Sequence, residues 1–203
     1  VYLQVAHGPQ APRVWFLSGD ERQLIQVQRD RLHFNWRGRE KTDVYPRYPA
    51  VYEEFKRHVE TFDSFLLEGG VEPFRPLQFE LAYLNRIPIS DVWSEPKHLA
   101  RVFPDLAWRV DENRFLPPPD DVRTQFSFAL PAGGGHLWAI LSVVRRKDGG
   151  ERELALDLTA RGAAGTQPMD DWFAVAHNWI VQGFADLTGK EMHDRIWKRR
   201  FEA

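Results

Sequence analysis

The sequence predicts an α+β fold in which a strongly curved antiparallel sheet packs against two long amphipathic helices. Three observations predict it. Alternating apolar residues fill two stretches, 13–36 and 124–159, each cut by Gly- or Asp-containing turns. Apolar residues recur three and four apart in two others, about 50–68 and 169–187. Each helical stretch follows a β stretch, so strand–strand–helix occurs twice, a candidate internal duplication with repeats 13–87 and 123–200 inside one domain spanning 1–203.

Residues 14–17 form a short apolar strand that Gly19-Asp20 turns back. In the run 23–36, Leu24, Gln26 and Gln28 share a face; past Arg29-Asp30 the parity changes, and Arg31, His33 and Asn35 stand opposite Leu32, Phe34 and Trp36. That is the pattern of a bulged or turned strand pair. A charged loop (37–43) leads to Tyr45-Pro-Arg-Tyr-Pro, and Pro49 opens a helix. Its stripe is Val51, Phe55, Val59, Phe62, Phe65 and Leu66, and Gly69-Gly70 closes it. A strand follows at 77–87.

Residues 88–122 carry Trp93, Leu99, Val102, Phe103, Leu106 and Trp108 as an irregular cover, ending in the stiff connector Pro117-Pro-Pro. Strands are expected from Thr124, at 137–144 and at 153–159, joined by turns at Gly133-Gly-Gly and Lys147-Asp-Gly-Gly. Residues 160–167 read as a flexible loop. After the second helix, Thr188-Gly189 breaks the chain, and Thr188 with Glu191 forms a capping box for a last short helix ending at Trp197. Lys198-Arg-Arg suits the negative end of that helix.

Composition narrows the function. With 8 Trp and 14 Phe in 203 residues, a large core is available. A formal charge of -2 disfavours bulk capture of nucleic acid, which leaves nucleic acid a lesser partner class. The absence of cysteine excludes disulfides and thiolate chemistry and fits a reducing, cytoplasmic setting. No apolar run approaches membrane-spanning length. The chain starts at Val1, and an N-terminal segment is expected to be missing.

No residue set points to catalysis, a metal or a cofactor. His177 and His193 are sixteen apart across the Thr188-Gly189 break without a third ligand, and His177 reads as a packing residue between helix and sheet. Gly133-Gly-Gly-His136 lacks the Gly-Lys-[Ser/Thr] ending of a phosphate loop. Glu153 and Asp157 share a strand face as a metal-dependent nuclease requires, but lack the Glu-x-Lys partner. The candidate ligand-binding residues are Gln28, Asn35, Arg37, Arg47, Tyr48 and Asn85. The two arginines stand beside Trp36, Tyr45 and Tyr48, where guanidinium and ring suit an anionic or planar ligand, or latch a loop. The amides are hydrogen-bonding groups for a concave sheet.

Together, Arg13-Val-Trp-Phe-Leu, the run 24–37 with Phe34-Asn-Trp-Arg, Tyr45-Pro-Arg-Tyr, Tyr83-Leu-Asn-Arg-Ile and the ending His177, Phe184, Leu187-Thr188, His193, Trp197 resemble a sporadically distributed family of uncharacterised prokaryotic proteins. The resemblance runs through most of the chain. It implies a further N-terminal strand and helix, and a distribution like that of defence-associated or mobile genes; it implies no activity. The expected function is a non-enzymatic interaction or recognition module of a cytoplasmic complex, with a protein partner or a homo-oligomer. A small-ligand or nucleotide sensor is second, and a metal-dependent nuclease third.

Overall fold

The computed structural model describes residues 2–6, 13–38, 42–90, 92–107, 113–117, 119–145 and 150–197. The middle of the charged loop (39–41), Trp108, Pro118, the turn residues 147–149 and the basic end 198–200 lie outside them. The fold is α+β with antiparallel sheets. In place of one sheet there are two, and the chain divides into two compact units, 1–75 and 76–203.

The first unit is a meander of β1 (Tyr2–Ala6), β2 (Arg13–Leu17), β3 (Gln23–Gln28) and β4 (Arg31–Trp36), paired in that order. Arg29 and Asp30 form a two-residue turn, so Gln28 pairs with Arg31 and Leu24 with Asn35. Residues directly paired across an antiparallel ladder share a face. The even-numbered face of β3 therefore continues as the odd-numbered face of β4, which is the parity change in the sequence. Helix α1 (Tyr48–Glu68) packs on β4, with the His58 ring 4.9 Å from Phe34. Pro49 sits in its first turn, as expected. Gly69-Gly70 ends it with the Val71 N–H bonded to Leu66 O and the Gly70 N–H to Leu67 O, and Gly70 takes the left-handed φ of 71° that this ending requires.

The second unit orders its strands β5-β8-β7-β6: β5 (Gln78–Pro88), β6 (Arg123–Ala129), β7 (His136–Arg145) and β8 (Arg152–Ala163). One sheet face carries Phe79, Ile87, Leu137, Leu141, Leu154, Leu156 and Leu158, all buried. Helix α3 (Met169–Leu187) covers it with Trp172, Phe173, Ala176 and Ile180, and Phe79 lies 5.6 Å from both Trp172 and Phe173. The irregular cover contributes buried Val92, Trp93, Leu99, Val102 and Phe103, with a short helix, α2 (Leu99–Val102); the Trp93 indole donates to Pro88 O at 2.9 Å.

Three details differ from the sequence reading. Residues 160–163 are strand, not loop: Ala160 pairs with both Leu81 and Leu137. The small residues there permit close approach. The buried Trp172 Nε1 donates to Gly134 O at 2.9 Å across Gly162, where a Cβ would overlap that oxygen. The expected capping box is not formed: Thr188 donates back to Phe184 O, Glu191 pairs with Arg195, and Met192–Ile196 is a π-helical turn. Finally, β5, counted in the first candidate repeat, pairs with β8. The two units share a three-strand meander followed by a long helix (β2-β3-β4-α1 and β6-β7-β8-α3), but the fourth strand joins opposite ends, β1 beside β2 and β5 beside β8.

Candidate functional site

Five of the six candidate residues fall in the first unit and Asn85 in the second. Asn85 lies on the covered side of β5, half-buried, and donates through Nδ2 to Leu156 O at 3.0 Å. Gln28 and Asn35 share a sheet face, yet four rungs separate them, roughly 13 Å along the strand. Gln28 is half-buried near the hairpin turn; Asn35 is exposed.

Arg37 is held by the fold. Its backbone N–H bonds Arg22 O at 2.8 Å, continuing the β3–β4 ladder, and Nη2 donates to Glu21 O at 2.9 Å. That ties the end of β4 to the β2–β3 turn, in which Glu21 has a φ of 55°. Arg22 pairs in turn with Asp43, whose side chain is 1% exposed. Arg37 Nε is buried and has no hydrogen-bond partner among the described residues.

Arg47 is exposed and precedes α1 with φ 69° and ψ 154°, a region costly to any residue with a Cβ. The aromatic side chains nearby pack on one another. Trp36 meets Tyr45 edge-on at 5.1 Å, Tyr48 stacks on Tyr52 at 5.6 Å, and Lys56 Nζ lies 5.2 Å from the Tyr52 ring. The rings pack on one another and on Lys56, and Arg37 serves the backbone, which latches the segment between β4 and α1.

The two histidines have separate roles. His177 packs at the helix–sheet seam, 6.1 Å from Tyr83, and burial lowers its pKa. His58 is lowered for the same leading reason; Glu54 opposes the shift and Arg57 adds to it. His193 is buried against Phe184 and Trp197, with Nε2 2.9 Å from Thr188 Oγ1. The Thr188 proton goes to Phe184 O, so His193 Nε2 carries a hydrogen and donates to Thr188. This pair locks the end of α3. Gly189 adds to the lock: its N–H bonds Val102 O at 2.7 Å, and a Cβ there would overlap Arg101 O.

Glu153 and Asp157 both face Arg86, at 3.8 and 2.9 Å, so a guanidinium stands where a nuclease needs a divalent cation. Among the described residues no group of three or more His, Asp or Glu is placed to hold a metal, and no helix is long and apolar enough to cross a membrane.

The feature that sequence reasoning missed is on α1. None of its 21 residues is buried, and Leu24 is the single buried apolar side chain among the residues of 13–75 whose burial is described. Phe65 and Leu67 are 68% and 58% exposed, and Val71 beyond the helix end is 54% exposed. The signal was present: at about 100° per residue, the run Phe65-Leu66-Leu67 is too broad for one helix face to bury. Comparison with known proteins adds no relative: no family model, no curated protein and no solved structure matches this chain.

Proposed function

We propose that this chain is a non-enzymatic recognition module that binds protein, and that it works inside a cytoplasmic prokaryotic complex. One observation carries the reading: α1 is a 21-residue amphipathic helix with no buried side chain, and its C-terminal turn presents Phe65 and Leu67 beside Val71. In contrast, α3 buries Trp172, Phe173, Ala176 and Ile180. A unit of this size that buries so little apolar surface gains stability when a partner covers it. The lack of cysteine and of a membrane-spanning helix among the described residues supports the cytoplasmic setting. The test is Phe65→Ser with Leu67→Ser. Stability should stay within about 0.5 kcal/mol of wild type, because these side chains are mostly exposed, while protein association through α1 is lost. Loss of the fold, or association unaffected by the change, contradicts the reading.

A sensor for a nucleotide or another anionic ligand is the second reading, favoured by the unpartnered, buried Arg37 Nε. Thermal-shift screening of nucleotides and oligonucleotides against wild type and an Arg37→Gln, Arg47→Gln variant separates the two. The recognition module gives no shift in either protein. A shift in wild type that vanishes in the variant establishes the sensor.

A further inference from the structure

We propose that β6 is the contact strand of a symmetric dimer, in which two copies of this chain continue one antiparallel sheet across a two-fold axis at Phe126. β6 ends the second sheet, with β7 on one side and, among the described residues, no strand on the other. Its register fixes which backbone groups are unused. The bonds from Leu130 N to Gly135 O and from Val143 N to Val122 O make the even-numbered residues the ones that bond β7. The N–H and C=O groups of Arg123, Gln125, Ser127 and Ala129 therefore point away from the sheet. All four residues are exposed, and no hydrogen bond among the described residues reaches these groups.

The opposite edge of the sheet is guarded and this one is not. On β5 the outward-pointing positions include Glu80 and Arg86, and the strand ends at Pro88, which has no N–H. Charges and proline at an edge are the usual barriers to strand addition. β6 reads Arg-Thr-Gln-Phe-Ser-Phe-Ala, with no proline, no acid and one cation at its start.

The strand fits a second copy of itself. With the axis at Phe126, Gln125 stands opposite the partner's Ser127 and Arg123 opposite the partner's Ala129. These are the positions with unused backbone groups, so four residue pairs form and each exchanges two hydrogen bonds. On the other sheet face Phe126 meets the partner's Phe126, and Thr124 meets the partner's Phe128. Gln125 thus meets Ser127, Phe126 meets its own copy, and the β-branched Thr124 packs its methyl group on the Phe128 ring. The one charged residue pairs with alanine, and six rungs, roughly 20 Å, separate it from its own copy, so no like charges face each other.

The dimer contact lies in 76–203 and does not rest on the α1 reading; Phe65→Ser with Leu67→Ser leaves it unchanged. The test is the mass of the full chain by sedimentation or light scattering over a concentration series. A dimer is expected, and Ser127→Pro should make it a monomer at the same concentrations with an unchanged circular dichroism spectrum, since β7 does not use the Ser127 N–H. Gln125→Lys, which brings two ammonium groups near the axis without altering the backbone, should also give a monomer. Because the chain has no cysteine, spin labels on Gln125→Cys and Ala129→Cys report the register: the second pair should be farther apart by roughly 13 Å. A monomer at every concentration overturns the proposal and leaves the edge to a strand of another protein. A dimer unaffected by both substitutions, or equal label separations, overturns it as well.

Discussion

Gly162→Ala tests the tightest contact in the second unit. In wild type the Trp172 indole is 1% exposed and donates to Gly134 O at 2.9 Å. A Cβ on Gly162 would lie 2.5 Å from Trp172 Nε1 and overlap the Gly134 oxygen, both of which are fixed by packing. Loss of the buried hydrogen bond costs about 1–3 kcal/mol. Forcing a methyl group into a filled site costs about 1–3 kcal/mol more. For a chain of this size each kcal/mol moves the melting midpoint by about 2–4 °C, so a loss of about 3 kcal/mol lowers it by about 6–12 °C. The mechanism is checked by a double-mutant cycle with Trp172→Phe, which removes the N–H donor but keeps the ring in place. The second substitution should then cost less than the first alone, with a coupling of about 1–2 kcal/mol in chemical denaturation. Additive effects, or a Gly162→Ala protein within about 0.5 kcal/mol of wild type, refute the reasoning.

Four other expectations follow from single residues. Arg47→Gly should raise stability by about 1 kcal/mol by relieving its positive φ, whereas Arg37→Gln should lower it by about 1–2 kcal/mol as the bond to Glu21 O is lost, both read by urea denaturation. Trp197 is half-buried against Phe184 and His193, so Trp197→Ala should cost about 2 kcal/mol, below the roughly 3–5 kcal/mol of a fully buried indole, and its melting curve reads the difference. Burial holds the His177 pKa below 6.5, so on acidification the unfolded imidazole takes up its proton first. Its effect on stability is nil well above pH 6.5 and grows as pH falls from 6.5 towards the folded value. His177→Asn should flatten that decline in part, with His58 contributing the remainder in the same direction.

The sequence showed the local structure better than the long-range pairing. The α3 limits and the parity change at Arg29-Asp30 were legible because helix periodicity and strand alternation are local patterns, while the pairing of Gln28 with Arg31 decides for a turn over a bulge. The end of β8 was not: Ala160 and Gly162 read as loop residues, although they are small because β5, β7 and Trp172 approach them. The capping box failed for a related reason. Thr188 satisfies the turn behind it, at Phe184 O, in preference to the turn ahead, and sequence spacing does not choose between them. Asn85 was grouped with Gln28 and Asn35 as a polar strand residue, and nothing in the spacing shows that β5 belongs to the other sheet. At the candidate site the Arg–aromatic clustering was visible, but the commitment of Arg37 to a backbone carbonyl depends on how the β2–β3 turn folds.

The claim that α1 recognises protein is tested most directly by native mass spectrometry of the chain purified from its own cells, wild type beside Phe65→Ser with Leu67→Ser. A bound protein in defined stoichiometry, lost in the variant, is the expected result, while any dimer made through β6 persists in both. A co-purified small molecule in place of a protein, or a protein partner that the variant retains, would contradict it.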